Sequence, residues 1–140
     1  MRRLFENGWD IVLRFLGACT ALGGMGNMKV LWILMALDYG TGLLLALLHK
    51  SRKSTDGGFD WKVFLMGLGQ KGMMNALVYL AGALDDISGS NGMLQNAAIG
   101  FYIVQEGISL AGNAIGFGVP VPLGIRNALN TLKEKEHAAT

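Results

Sequence analysis

The chain is poor in the residues that usually mark a soluble enzyme. In 140 residues it has one cysteine, two histidines and two prolines, and only 16% of its residues are charged. A single cysteine excludes an intrachain disulfide framework and a cysteine-built zinc site. The low charge excludes a highly charged nucleic-acid binder, and the apolar content excludes a disordered tail. Ordinary soluble domains carry about 25% charged residues. What is plentiful instead is apolar side chain, 51% of the chain, and glycine, with 21 residues. The length fits one domain.

Three apolar runs organise the sequence. Residues 30–48 carry Asp38 as their only charge, residues 62–84 carry Lys71 after the opening Lys62, and residues 93–116 carry Glu106. A helix crosses the hydrocarbon core with about 20 mostly apolar residues. Soluble helices show a polar face on every turn, so three such runs predict a membrane domain instead of a soluble bundle. Lys29 and Trp32 open the first run, and Trp61 and Lys62 the second, as interfacial anchors do. The third stops at Gly116-Phe117-Gly118-Val119-Pro120-Val121-Pro122, where the prolines break a helix. Ser88-Gly89-Ser90-Asn91-Gly92 reads as a loop. The expected fold is an all-α integral membrane protein forming one domain over 1–140. It has transmembrane helices at 30–48, 62–84 and 93–116, an N-terminal helix over 1–26, a basic loop at 49–61 and a tail at 120–140.

The N-terminal segment admits two readings. Arg3, Asn7, Asp10 and Arg14 share one helical face, with Phe5, Trp9, Val12, Leu13 and Leu16 on the rest. Such a helix lies in the interface, or it crosses with Asp10 and Arg14 paired at i,i+4. The charges interrupt any signal-peptide core. Loop charge sets the orientation. Lys50, Arg52 and Lys53 follow the first run, Asp85 and Asp86 the second, and Arg126, Lys133 and Lys135 the third. The positive-inside rule puts the 49–61 loop and the C-terminus in the cytoplasm, with the Asp85 loop outside. Three spans then leave Arg2 and Arg3 outside, and a fourth brings them in.

Asp38, Lys71 and Glu106 each fall near the middle of a run. Charges at that depth face protein or water, paired where possible. Their neighbours extend three polar faces. Gln95, Tyr102, Glu106, Ser109 and Asn113 form one, Gly67, Lys71, Asn75 and Gly82 another, and Asp38, Thr41 and Gly42 the third. In one reading, Lys71 bridges the two carboxylates within a monomer. In another, the faces line a water-filled path after oligomerisation; a proton or ion relay is a third. Gly112 and Gly116 form a GxxxG, and Ala36 and Gly40 a small-xxx-small pair, which permit close helix contact in lipid.

Gly67-Leu68-Gly69-Gln70-Lys71-Gly72 has the form of a dinucleotide-binding fingerprint, but no strand–helix alternation accompanies it. His49 and His137 have no triad or ligand partner at a recognisable spacing, and Cys19 has no activating neighbour in the sequence. No metal site, cofactor or catalytic residue is expected, and the chain is read as a non-enzyme.

In three segments the sequence resembles the phage-lysis and toxin-secretion holins, small inner-membrane proteins with several hydrophobic helices and a short charged tail. Leu37-Asp38-Tyr39-Gly40-Thr41-Gly42 is similar to that family's Asp-x-x-Thr-Gly element. Gly69-Gln70-Lys71-Gly72 is similar to its Lys-bearing segment. Tyr102-Ile103-Val104-Gln105-Glu106-Gly107-Ile108-Ser109, with Gly118-Val119-Pro120-Val121-Pro122 and an amphipathic end, is similar to its C-terminal signature. The resemblance covers about 29–135. Asn113 is the nearest counterpart of the family's Asn after the Glu.

The resemblance implies a multi-pass protein of the bacterial cytoplasmic membrane. It implies accumulation during infection, then abrupt homo-oligomerisation into lesions through which a cytoplasmic endolysin escapes. Partners are then further copies and the lipid bilayer, with no need for direct endolysin contact and no nucleic acid. Lys50–Lys53 and Arg126–Lys135 hold the cytoplasmic side against anionic lipid. Ile125, Ala128, Leu129 and Leu132 give the tail an apolar face. Rival readings are a small ion channel or transporter subunit, a holin-like toxin-export protein and a structural subunit of a membrane complex. Protease protection of terminal tags tests the topology: the C-terminal tag stays protected in intact spheroplasts, and external cleavage of an N-terminal tag rejects four spans.

Overall fold

The computed structural model describes residues 26–139, and the expected N-terminal helix, with Asp10, Arg14 and Cys19, lies outside them. Among the described residues there are four helices and no strand: α1 Gly26–Leu47, α2 Trp61–Ser88, α3 Met93–Gly116 and α4 Leu123–Ala139. The third matches its expected bounds. α1 starts four residues before 30, so Trp32 sits in its second turn. There Trp32 is half-buried against the core and is not an anchor at a helix end.

α2 also outruns its expected end, and this changes the role of Asp85. Asp60 caps its start, Oδ1 accepting from the Lys62 and Val63 amides at 2.8 and 3.5 Å. At the other end the helix continues through Asp85 and Asp86 until Gly89, whose φ of 70° is the left-handed conformation that closes a helix. Asp85 is therefore not a loop charge: it is 3% exposed and helical. α3 opens on Gly92, which offers no side-chain cap. Asp85 reaches across the turn and does that work. Its oxygens accept from the backbone amides of Leu94 at 2.9 Å and Gln95 at 2.8 Å, and from the Ser90 hydroxyl. One side chain thus satisfies orphan donors of the next helix and fixes the α2–α3 hairpin.

α3 is the hub. It packs against α1, α2 and α4, whereas α1 and α2 meet only sparsely. Near Asp85's end of the bundle the core is Met28, Leu31 and Met35 of α1, Val78 of α2 and Ile99 of α3. Gly82 admits the Gln95 side chain, Gly67 the Tyr39 ring and Gly107 the Leu129 side chain of α4. The apolar tail face is thus partly used within the chain, at Leu129.

The exterior is apolar. Ile33, Leu37 and Leu44 of α1 are exposed, with Leu65, Leu68, Met73, Leu80 and Leu84 of α2. By length and composition only α1, from Asn27 to Leu47, passes among the described residues as a membrane-span candidate, against the expectation of three strong spans. The physical reason is Gln70, Lys71 and Asn75 in α2 and Gln95, Asn96, Gln105, Glu106 and Asn113 in α3, which lower the mean hydropathy of any long window.

Burial pushes the Asp85 carboxyl up, but the hydrogen bonds from Ser90, Gln95 and Leu94 outweigh it and hold the group below the usual carboxylate range. Asp85→Ala is expected to lower the thermal midpoint of the detergent-solubilised protein, and Asp86→Ala, at an exposed site, to leave it nearly unchanged. Since the folded pKa is depressed, the wild-type advantage is full above the ordinary carboxylate value and is lost as pH falls through the folded value. An advantage that grows on acidification contradicts the cap.

Candidate functional site

The site is built from one charged side chain on each of three helices. Asp38 of α1 is 1% exposed, Glu106 of α3 is 2% exposed, and Lys71 of α2 reaches between them. The Lys71 Nζ donates to Asp38 Oδ2 at 2.8 Å and to a Glu106 carboxylate oxygen. The geometry is that of the intramonomer bridge.

The remaining acceptors are satisfied by polar neighbours. Asn113 of α3 shares its amide protons among Asp38 Oδ1 at 3.1 Å, the Asp38 carbonyl at 3.0 Å and Thr41 Oγ1 at 2.9 Å. Thr41 donates in turn to the Leu37 carbonyl at 2.6 Å. Asn75 of α2 donates to the Lys71 carbonyl at 2.8 Å, and its Oδ1 accepts from the Trp32 indole at 2.8 Å. Tyr39 of α1 donates to the Phe64 carbonyl at 3.0 Å, which ties the other end of α1 to α2. Among the described residues no buried side-chain nitrogen or oxygen lacks a hydrogen-bond partner. That matters because a half-satisfied buried network costs more than an apolar core.

The expected residues therefore divide. Asp38, Thr41, Lys71, Asn75, Glu106 and Asn113 form one connected network. Ser109 is half-buried on the same α3 face as Glu106. Gln95 stands apart, against Gly82 and the Val78 carbonyl. Tyr102 is half-buried at the fringe of the apolar core. The glycines divide as well. Gly112 lies beneath the Arg52 guanidinium and Gly116 against Leu45, so the GxxxG is used inside the chain. Ala36 and Gly40 are exposed, and a Cβ on Gly40 would meet open space.

The basic loop is part of the site. Lys50, Arg52 and Lys53 are exposed, but Arg52 folds back onto α3 at Gly112. A cavity of about 80 Å³ lies between the loop, α1 and α2. Lys53, Ser51 and Asp60 line it together with Asp38 and Lys71. It is large enough to hold water. Arg126 and Lys135 are exposed on α4, and the Lys133 side chain lies outside the described set. Among the described residues no group of three His, Cys, Asp or Glu side chains is gathered to hold a metal.

Two features are not evident from the sequence, the capping role of Asp85 and the Trp32–Asn75 contact, and two exposed glutamines, Gln70 and Gln105, flank the bridge. A carboxylate one turn before a left-handed glycine was a usable signal for Asp85. The two glutamines adjoin Lys71 and Glu106, and only the rotation of each helix separates their roles.

Removing the cation is the sharpest test. Lys71→Met leaves two buried carboxylates facing each other and is expected to destabilise the fold by about 3–5 kcal/mol. Asp38→Asn, Lys71→Met and Glu106→Gln combined recover most of that loss. Chemical denaturation in detergent measures both, and a harmless single variant rejects the bridge.

Comparison with known proteins identifies the family. The model of the bacteriophage holin family matches residues 15–134. The chain is 32% identical over 127 residues to protein CPE0383 of Clostridium perfringens (strain 13 / Type A), covering 88% of this chain and 89% of that one. It is 31% identical over 117 residues to protein YqxH of Bacillus subtilis (strain 168), covering 83% and 79%. It is 28% identical over 118 residues to a probable holin of Bacillus phage phi105, covering 84% and 82%. No solved structure matches. The match spans every element of the network, from Asp38 to Asn113, and the chain belongs to the bacteriophage holin family.

Proposed function

We propose that the protein is a phage holin that crosses the bacterial cytoplasmic membrane several times, assembles with further copies and opens lesions that release an endolysin. The observation that carries this reading is a buried charged network inside an exterior rich in exposed apolar side chains. Among the described residues Asp38, Asp85, Glu106 and Asn113 are buried, while many long apolar side chains are exposed. A water-soluble protein of this size gains stability from the reverse arrangement. A lipid-facing one needs its polar groups satisfied internally.

The same distribution accounts for α2 and α3 as spans at 62–84 and 93–116 beside α1. Of the eight polar residues that lower their mean hydropathy, Lys71, Asn75, Glu106 and Asn113 turn inward onto one another, while Gln70, Asn96 and Gln105 are exposed. The 49–61 loop and the tail are cytoplasmic in this topology, with the short turn at 89–92 outside. Asp85 no longer counts toward that orientation, because it serves as a cap.

The mechanism is a change of partner. In the single copy the ion bridge closes the bundle. In the assembled lesion Asp38, Lys71, Glu106 and Asn113 exchange these contacts for water in a lumen. Nothing in this step requires a catalytic group, and the endolysin needs only passage, not docking. A second reading, a small channel subunit, draws on the cavity that joins the basic loop to Lys71, since such a vestibule also serves ion entry. Co-expression with a cytoplasmic endolysin separates the two. A holin gives delayed, abrupt lysis, and Glu106→Leu lowers the lysing fraction at least tenfold while the protein still inserts. Ion leakage without endolysin passage favours the channel and rejects the holin.

A further inference from the structure

Two exposed amides lie at the level of the buried bridge, Gln105 in the open groove between α2 and α3, and Gln70 bordering both that groove and the cavity beneath the basic loop. Gln70 and Gln105 immediately precede Lys71 and Glu106, so each lies about 1.5 Å along its helix from a bridging residue. Both are exposed. They take no part in the hydrogen bonds that join α1, α2 and α3 among the described residues. They share one open groove of about 600 Å³ between α2 and α3, walled by Met66, Gly69, Met73 and Tyr102. A Cβ on Gly69 would meet nothing within 4 Å, so another backbone has room to approach there.

We infer that this groove is the contact between two copies of the chain, related by a twofold axis along the membrane normal. The inference rests on the membrane reading above and deepens it by naming the surface. An amide facing hydrocarbon alone is costly, and side-chain amides hold helices together in lipid. Glutamine carries both a donor and an acceptor, so a glutamine is a complete partner for another. α2 and α3 are antiparallel neighbours. A twofold therefore sets α2 of one copy beside α3 of the other, with Gln70 level with Gln105 of the partner subunit in both directions. Methionine walls adapt to such a neighbour. The exposed Ala36–Gly40 face of α1 has small residues but no polar group to satisfy, so it ranks below the groove.

Disulfide trapping in membranes tests this in the full chain. Differently tagged copies, one Gln70→Cys and one Gln105→Cys, both with Cys19→Ser, are co-expressed and oxidised in inner-membrane vesicles. A mixed dimer is expected in at least tenfold excess over that formed by Ala36→Cys copies. The double variant Gln70→Leu and Gln105→Leu, followed by fluorescence transfer between labelled tails, is expected to associate about tenfold more weakly while keeping its helix content. Two results overturn the interface. These are trapping through Ala36→Cys instead, and labelling of Gln105→Cys by a water-soluble maleimide without any dimer. Lysis scored in parallel keeps the two readings apart. Lysis without groove trapping rejects the interface alone, and groove trapping without lysis rejects the holin role alone.

Discussion

One ammonium group serves two carboxylates, each on a different helix, and the packing of the described chain follows from that sharing. Lys71 cannot leave either Asp38 or Glu106 without stranding a buried charge. Separating α1 from α3 would also break the Asn113 contacts to Asp38 and Thr41. The network sets the depth of each helix relative to the others, because all three charged groups must come level. Apolar packing then fills the bundle toward Met28, Val78 and Ile99.

This constraint also explains which glycines matter. Where the helices are drawn together, a side chain from one must be received by a flat place on another. Gly67 receives Tyr39, Gly82 receives Gln95 and Gly116 receives Leu45. These contacts are made within one chain, so glycine abundance alone says little about assembly. The candidate surface between copies is found by a different property: polar groups that the fold has left outside.

Much of the site was legible before any coordinates. Asp38, Lys71 and Glu106 stand out because each interrupts a long apolar run. Their helical neighbours Thr41, Asn75 and Asn113 follow at turn spacing and do join them. The less legible parts depend on rotation and on chain reversal. Period arguments place Gln95 on the Glu106 face, but its position near the α3 start puts it beside Gly82 instead. Asp85 looked like loop charge because hydropathy falls there. A helix ends where its backbone finds a left-handed residue, however, and that residue is Gly89. The GxxxG motif likewise carried no mark of which neighbour it would meet.

The difference in apolarity between α1 and the two helices after it has a consequence for how the chain is made. Synthesis runs from the N-terminus, so Asp38 emerges before Lys71 or Glu106 exists. In the proposed membrane topology α1 enters the bilayer before Lys71 has been made, and it is the described helix whose length and composition fit a span. An ionised residue at the centre of a helix adds about 2.5–3.5 kcal/mol to insertion. α2 and α3 are released later, joined by the Asp85-capped turn. Lys71 then meets a waiting carboxylate on α1 and brings its own counter-charge on α3. The order of the helices along the chain is thus also an order in which each charge finds its partner.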